Sequence, residues 1–165
     1  MRMRVSALQI LVCTLVLALG VTTKAFAQEV GSKAPEFSLE VLQGENPGAL
    51  ANLQGKVVII EFWATYCGWC KKTHPPLAKF AAQNAKDVVV LGITAQRKSR
   101  VLRYLRKTKT GLTIAHDPRG RVSRAYRAKV TPTLVLIDKD GVVHMWAEGG
   151  HSVKVVLRQA KALLK

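Results

Sequence analysis

Cysteine and acidic residues are scarce in this chain of 165 residues. Three cysteines, Cys13, Cys67 and Cys70, and ten Asp or Glu residues stand against 26 lysines and arginines. So few cysteines exclude a framework of several disulfides, and they exclude a zinc site built on two C-x-x-C pairs. Internal repeats and low-complexity tracts are also absent from the sequence. The shortage of acids leaves a net charge of +16, which bears on solubility and partners rather than on fold.

The start of the chain has the pattern of a secretory signal peptide over residues 1–27. Arg2 and Arg4 precede an apolar run from Val5 to Val21, and residues 25–27 (AFA) form a small-x-small cleavage pattern. Cleavage there would leave residues 28–165 as one domain with 23 basic and 10 acidic side chains, a net charge of +13. The alternative is an uncleaved membrane anchor, since the apolar run is long for a signal peptide.

Strand and helix patterns alternate after residue 28, which predicts an α/β sandwich. Apolar, β-branched runs indicate buried strands, and apolar residues spaced three or four apart indicate helices. The predicted strands are 37–42, 56–64, 87–94, 112–115, 133–138 and 142–147, and the predicted helices are 67–84, 99–108, 122–128 and 152–164. The turn at residues 139–141 makes a hairpin of the last two strands. We expect Pro75 and Pro76 to interrupt and kink the first helix and Ser152 to cap the last one.

Two cysteines, Cys67 and Cys70, stand three residues apart in the stretch 61–75, EFWATYCGWCKKTHP. A bridge across so short a loop restricts the unfolded chain little, which disfavours a purely structural disulfide. At a helix N-terminus, unpaired N–H groups and the helix dipole stabilise a thiolate, and Lys71 and Lys72 add positive charge nearby. We therefore predict that Cys67 is the exposed nucleophile and that Cys70 resolves the mixed disulfide.

The same stretch resembles the thioredoxin superfamily and, within it, the exported TlpA/ResA-like thiol–disulfide oxidoreductases. The resemblance is carried by residues 62–72 (FWATYCGWCKK), by Pro75 five positions after the second cysteine, and by residues 130–133 (VTPT). Residues 30–39 (VGSKAPEFSL) and 53–58 (LQGKVV) resemble the N-terminal extension of that family. The resemblance implies a thioredoxin-like fold, in which helices flank a central mixed β-sheet that carries an N-terminal extension.

The resemblance also implies a substrate-binding segment. It implies that Pro132 follows a cis peptide bond and faces the cysteines, while Thr131 offers its backbone to an extended substrate; an ordinary trans proline is the alternative. We expect Trp69, between the cysteines, to stay at the surface and touch partners, and Trp63 to pack beneath the site. The implied partners are dithiols and disulfides of periplasmic proteins and a membrane electron donor, and no cofactor is implied.

The acid–base positions depart from the family pattern. Many exported members carry Glu three residues after the second cysteine, where this chain has Thr73. Glu61 stands six residues before Cys67, in an otherwise apolar strand, where cytoplasmic thioredoxins place a buried Asp. Burial would raise its pKa, so we predict that Glu61 accepts the proton of Cys70. The alternative is a carboxylate that points outward or pairs with a lysine. His74, four residues after Cys70, could share its helical face and tune the thiols. We expect instead a partly exposed side chain without a role at the site.

A basic segment runs from Arg97 to Lys129, with 12 lysines and arginines and a single acid, Asp117. Nucleic-acid binding is disfavoured because export removes access and no array of stacking aromatics accompanies the charge. The functional interpretation is attraction to an acidic partner protein or to anionic lipid. The alternative is a solvated face on a helix that packs against the sheet.

The predicted function is that of an exported, periplasmic and monomeric thiol–disulfide oxidoreductase, which reduces disulfides in exported proteins, including apocytochrome c. The oxidase or isomerase direction stays open, since it depends on which redox form the protein stabilises. One alternative is a copper chaperone with Cys67, Cys70 and His74 as soft ligands, although relatives of that kind show C-x-x-x-C. The other is a peroxiredoxin-like peroxidase, although Thr65 lies only two residues before Cys67. No resident metal is predicted.

Overall fold

A six-stranded mixed sheet forms the centre of the structure, a computed structural model that describes residues 30–165. The sheet order is β1-β4-β3-β2-β5-β6, and β3 pairs in parallel with β2 and β4, whereas the other neighbours pair antiparallel. The predicted central mixed sheet and the hairpin of β5 and β6 are confirmed. The strands are β1 (Glu40–Gln43), β2 (Val57–Phe62), β3 (Val88–Thr94), β4 (Thr113–His116), β5 (Thr133–Ile137) and β6 (Val143–Glu148).

Four α-helices lie in this part of the chain: α1 (Gly68–Gln83), α2 (Lys98–Leu105), α3 (Arg121–Ala125) and α4 (Val153–Ala162). The structure adds a 3-10 turn that was not predicted, Leu50–Leu53, in which both leucines are buried. The cap predicted for Ser152 is wrong, because its hydroxyl donates to the carbonyl of Glu148 at 2.7 Å instead.

The helix α1 runs as one element through Pro75 and Pro76, which therefore do not interrupt it. Each proline removes the N–H that would reach a carbonyl four residues earlier. The carbonyls concerned are those of Lys71 and Lys72, and both of these residues are exposed, so water can replace the missing donors.

Side chains of β2 alternate between two cores, one on each face of the sheet. The core under α1 and α4 collects Val57, Ile59 and Trp63, and the opposite core collects Val58, Ile60 and Phe62. Glu61 has the same parity as Ile59, so its side chain enters the core beneath α1. Its neighbours on the adjacent strands are Gly92 and Leu134, which bring no charge.

The predicted signal peptide over residues 1–27, with Cys13, lies outside the described residues. Within residues 30–165, no helix combines the length and the apolar character needed to cross a membrane.

Candidate active site

A disulfide joins Cys67 and Cys70 at the start of α1, with 5.3 Å between the two Cα atoms. Cys67 is the N-cap residue, and its Sγ accepts a hydrogen bond from the backbone N–H of Cys70 at 3.0 Å. The first sulfur thus lies where unpaired N–H groups of the helix point. Cys67 is 7% exposed and Cys70 is 0% exposed. The expectation of an exposed Cys67 is wrong, because the pair packs into the core beneath α1, but Cys67 remains the more accessible of the two cysteines.

Three large apolar side chains stay exposed in the segments around the cysteines and the proline: Tyr66 at 74%, Trp69 at 45% and Val130 at 47%. The surface position predicted for Trp69 is confirmed. Its ring lies 4.3 Å from the ring of His151, and a Cβ on Gly150 would fall 2.6 Å from its Cε3 atom. Because Gly150 has no side chain, the indole of Trp69 can pack directly against its backbone.

The Thr131–Pro132 peptide bond is cis, as predicted. Thr131 is exposed, whereas Pro132 is buried. The carbonyl of Pro132 accepts a hydrogen bond from the N–H of Gly149 at 2.8 Å, and the next residue, Gly150, packs against Trp69. One loop therefore supports both the proline segment and the tryptophan between the cysteines.

The carboxyl of Glu61 is fully buried in the core beneath α1, at 0% exposure. The hydroxyl of Thr73 donates to its Oε1 at 2.5 Å and also lies 2.9 Å from the carbonyl oxygen of Cys70. Burial raises the pKa of Glu61 to about 8, although the hydrogen bond from Thr73 acts in the opposite direction. The predicted rise in pKa is confirmed, and the outward-facing alternative is excluded. Glu61 is therefore protonated at neutral pH.

His74 is buried at 3% exposure, so the expectation of a partly exposed side chain is wrong. It shares the inward face of α1 with Cys70, and its ring meets the edge of Trp63 with 5.1 Å between centroids. Its Nε2 lies 3.4 Å from Oε2 of Glu61, yet neither atom makes a hydrogen bond. Burial lowers the pKa of His74 to about 4. At neutral pH the contact therefore joins two neutral groups rather than an ion pair.

Thr73 was not among the predicted site residues, although it links the Glu61 carboxyl to the peptide group of Cys70. The signal that could have found it is its spacing. It stands three residues after Cys70, and residues three apart share one face of a helix. Because that face is buried, the threonine hydroxyl had to find a partner inside the core.

Replacing Thr73 with valine should raise the pKa of Glu61 above its value of about 8, because the hydrogen bond that lowers this pKa is lost. The free energy of unfolding should fall by about 1 kcal/mol, the usual net worth of one hydrogen bond. Carboxyl carbon NMR across a pH series measures the pKa. Thr73→Ser keeps the hydroxyl and serves as the control. A Glu61 pKa in Thr73→Val equal to that of the unaltered chain would contradict this interpretation.

The copper alternative requires Cys67, Cys70 and His74 to converge on one ion. Within residues 30–165, no group of three or more His, Cys, Asp or Glu side chains is placed to hold a metal ion. The Nε2 atom of His74 faces Glu61 instead. No observation in the described part of the chain favours this alternative.

Comparison of the sequence and the fold with known proteins identifies the family of this chain. The chain matches the Redoxin family over residues 29–162. It is 33% identical to a thioredoxin-like protein of Haemophilus influenzae, over 63% of this chain and 62% of that protein. It is 31% identical to the thiol-disulfide oxidoreductase ResA of Bacillus thuringiensis, over 75% of this chain and 72% of that protein. A crystal structure described as a thiol:disulfide interchange protein DsbE from Chlorobium tepidum matches with a TM-score of 0.74 and 28% identity, over 84% of this chain and 100% of that one. The chain therefore belongs to the Redoxin family and is a ResA-like thiol–disulfide oxidoreductase of the thioredoxin superfamily.

Proposed function

We propose that this chain reduces disulfides of exported proteins in the periplasm, with Cys67 as the attacking thiol and Cys70 as the resolving thiol. The observation that carries the proposal is the Cys67–Cys70 disulfide at the N-terminus of α1, in which Cys67 is 7% exposed and Cys70 is fully buried. A substrate can reach only Cys67. Cys70 must then attack Cys67 from its buried position and re-form the intramolecular disulfide.

The reaction transfers two electrons to the substrate. The Cys67 thiolate attacks one sulfur of the substrate disulfide, and the other substrate sulfur leaves as a thiolate. Cys70 then loses its proton and attacks the Cys67 sulfur of the mixed disulfide. The second substrate sulfur leaves as a thiolate, both substrate thiolates take protons from water, and the chain is left with the Cys67–Cys70 disulfide. A membrane dithiol is proposed as the donor that restores the reduced pair.

Glu61 is proposed as the group that accepts the proton of Cys70. The support is its position in the same buried core, with Thr73 bridging its carboxyl and the peptide group of Cys70. A general base works best when its pKa lies near the working pH, and burial brings the pKa of Glu61 to about 8. In the oxidised form the carboxyl is then protonated at neutral pH, as expected after it has taken a proton from Cys70.

The reductase direction is inferred from the same carboxyl. Strong oxidants of this fold owe their potential to a stabilised reduced form. Here Glu61 must be ionised in the reduced form to accept the proton of Cys70, and a carboxylate at 0% exposure is costly, whereas the oxidised form holds the carboxyl protonated. The reduced form therefore gains little stability, which lowers the potential of the pair.

Substrate contact is assigned to Trp69, Thr131 and Pro132. Trp69 and Thr131 are exposed, and the Gly149–Gly150 loop supports both the indole and the carbonyl of Pro132. Exposed aromatic and apolar side chains beside a reactive sulfur suit an extended peptide that carries a disulfide. Apocytochrome c is the substrate class we favour.

The basic segment is proposed to guide the chain to an acidic partner protein or to anionic lipid. All 12 of its lysines and arginines, from Arg97 to Lys129, have exposed side chains. Lys98 pairs with Glu40 on β1, so part of this charge is neutralised within the chain. Exposed charge of one sign raises association rates with oppositely charged partners, and salt weakens the effect.

A redox titration of the Cys67–Cys70 pair tests the proposed direction. Equilibration with glutathione or dithiothreitol, followed by mass spectrometry of the alkylated thiols, gives the potential. A value near thioredoxin's, about −270 mV, is the expected result, whereas a value near about −120 mV, that of the oxidant DsbA, would contradict the reductase proposal.

A further inference from the structure

Glu61 has to exchange its proton with solvent, yet none of its side chain reaches solvent. It is 0% exposed, and Gly92 and Leu134 beside it on the neighbouring strands carry no polar side chain. Because burial raises the pKa of Glu61 to about 8, the carboxyl is protonated at neutral pH. It must lose that proton before it can accept one from Cys70. This requirement arises from the role of Glu61 as acceptor, so a route for its proton rests on the proposed function.

Among the described residues, two polar side chains contact the carboxyl, and they differ in whether they connect it to solvent. Thr73 donates to Oε1, and its hydroxyl otherwise contacts the carbonyls of Cys70 and Trp69, so it leads back into the helix. His74 approaches Oε2 with its Nε2 atom at 3.4 Å. His74 also lines an open surface pocket with a volume of about 220 Å³. Within residues 30–165, His74 is therefore the titratable side chain that connects the carboxyl to solvent.

The imidazole is not needed to fill the space it occupies. A leucine or phenylalanine could pack against Trp63 without burying polar nitrogen atoms, and burial of a polar atom without a hydrogen bond is unfavourable. Nε2 of His74 is buried and makes no hydrogen bond, and the same is true of Oε2 of Glu61. These two atoms lie 3.4 Å apart, and a small shift of either side chain brings them into the range of about 2.6–3.2 Å in which a proton passes directly. Nε1 of Trp63, also buried and without a partner, belongs to the ring against which His74 packs.

The ionisable residues around His74 bear on whether its imidazole can keep a second proton. Lys71 on α1, Tyr104 on α2 and Lys109 in the loop after α2 line the pocket with it, and none of the lining residues is acidic. Glu61 on β2 is the acid that faces the ring. Burial of the imidazole disfavours its charged form and lowers its pKa to about 4. A proton that reaches His74 therefore passes on quickly instead of being stored there.

We propose that His74 carries the proton of Glu61 between the buried carboxyl and the pocket lined by Lys71, Tyr104 and Lys109. The carboxyl gives its proton through Oε2 to Nε2, the imidazole releases a proton to water in the pocket, and no electrons move. The return of a proton to Glu61 takes the same route in reverse. His74 acts on the sulfurs through Glu61, so it is a positioning residue for the resolving step.

A two-phase assay separates this step from the first attack. The probe is 5,5′-dithiobis(2-nitrobenzoate), a symmetric disulfide that releases one coloured thiolate when Cys67 attacks and a second when Cys70 resolves. His74→Ala should slow the second release by about tenfold or more at neutral pH, since proton transfer by a positioned side chain is worth at least that much. The first release should change less than about twofold, because Cys67 attack does not need Glu61.

Chemical rescue distinguishes proton transfer from packing. Imidazole added to His74→Ala can enter the space left by the side chain, and it should restore the second release. Pyrazole has the same size but is a much weaker base, so it should fill the space without restoring the rate. His144→Gln, at an exposed site on β6, is the matched control and should leave both releases unchanged. Equal rescue by both compounds, or rescue by neither, would overturn the proposal.

A double-mutant comparison separates failure of the proton transfer through His74, here called the relay, from failure of the proposed function. In a Glu61→Gln background, His74→Ala should add no further slowing, because the group it serves is gone. A full additional slowing there would overturn the relay. If Glu61→Gln slows the second release and His74→Ala does not, the relay alone fails. If Glu61→Gln leaves the second release unchanged, the proposed role of Glu61 fails, and the relay falls with it. His74→Gln, which cannot pass a proton on, replaces His74→Ala if the smaller side chain prevents folding.

Discussion

Replacing Cys70 with serine is expected to stop the protein halfway through its reaction. Cys67 still attacks a substrate disulfide, but the buried sulfur that would release the substrate is missing. The mixed disulfide should therefore accumulate to about one equivalent, and turnover should fall roughly 100-fold or more. Mass spectrometry of the intact adduct, followed by peptide mapping, measures both the amount and the site of attachment.

The matched control for this trap is Cys67→Ser. It removes the more accessible sulfur and leaves Cys70 at 0% exposure. No adduct should form in this variant, because a substrate cannot reach the remaining sulfur. An adduct on Cys70 in the control, or none on Cys67 in the Cys70→Ser variant, would reverse the assigned roles. The trapped adduct also identifies the natural substrate if the variant is expressed in an exporting cell.

The oxidised protein should lose stability as the pH rises from about 6.5 to about 8, and Glu61→Gln should abolish that loss. The pKa of Glu61 is about 8 in the folded chain against an ordinary value of 4.5. Between those values the folded state keeps a proton that the unfolded state has released, so the free energy of unfolding falls as pH rises. One pKa unit corresponds to about 1.4 kcal/mol, so the fall from pH 6.5 to pH 8 should be on the order of 2 kcal/mol.

The titration of His74 sets the lower end of the pH range over which the free energy of unfolding falls. Its pKa is about 4 in the folded chain against an ordinary value of 6.5. Between those values the unfolded state holds the extra proton, so the contribution of His74 to stability rises with pH and is lost as pH falls. Below about pH 6.5 the two contributions oppose each other, whereas above it the contribution of Glu61 stands alone.

Urea unfolding of the disulfide-intact protein at pH 6.5 and pH 8 measures this effect. The cysteines do not titrate in that form, so they do not obscure the result. Glu45→Gln changes an exposed glutamate and serves as the control, which should keep the pH dependence of the unaltered chain. Equal pH dependence in the unaltered chain and in Glu61→Gln would show that the carboxyl is not held protonated in the fold.

Most of the sheet could be predicted because the pattern of each strand is local. β2 and β3 are rich in valine and isoleucine, and such runs are typical of strands buried on both faces. The turn at Leu50–Leu53 was missed because two leucines three residues apart fit a loop as well as one turn of 3-10 helix. Only the packing of both leucines into the core decides between them.

The cysteine pair and Glu61 could be predicted from position, but the burial of His74 could not. Cys70, Thr73, His74 and Leu77 have the spacing of a single buried helix face. A threonine and a histidine in the middle of that face conceal its apolar pattern, which becomes visible only from Leu77 onward. Whether His74 is buried depends on how α1 turns against Trp63 and α2, which is a tertiary contact without a local signal.

The most direct test of the central claim is the titration of Cys70 in the reduced protein, monitored by the Cβ chemical shift of labelled cysteine. If Glu61 exchanges a proton with Cys70, their titrations are coupled, and the Cys70 curve should show two steps. In Glu61→Gln the same curve should reduce to one step at lower pH, because the neighbouring negative charge is gone. Superimposable Cys70 curves in the two proteins would contradict the role assigned to the buried carboxyl.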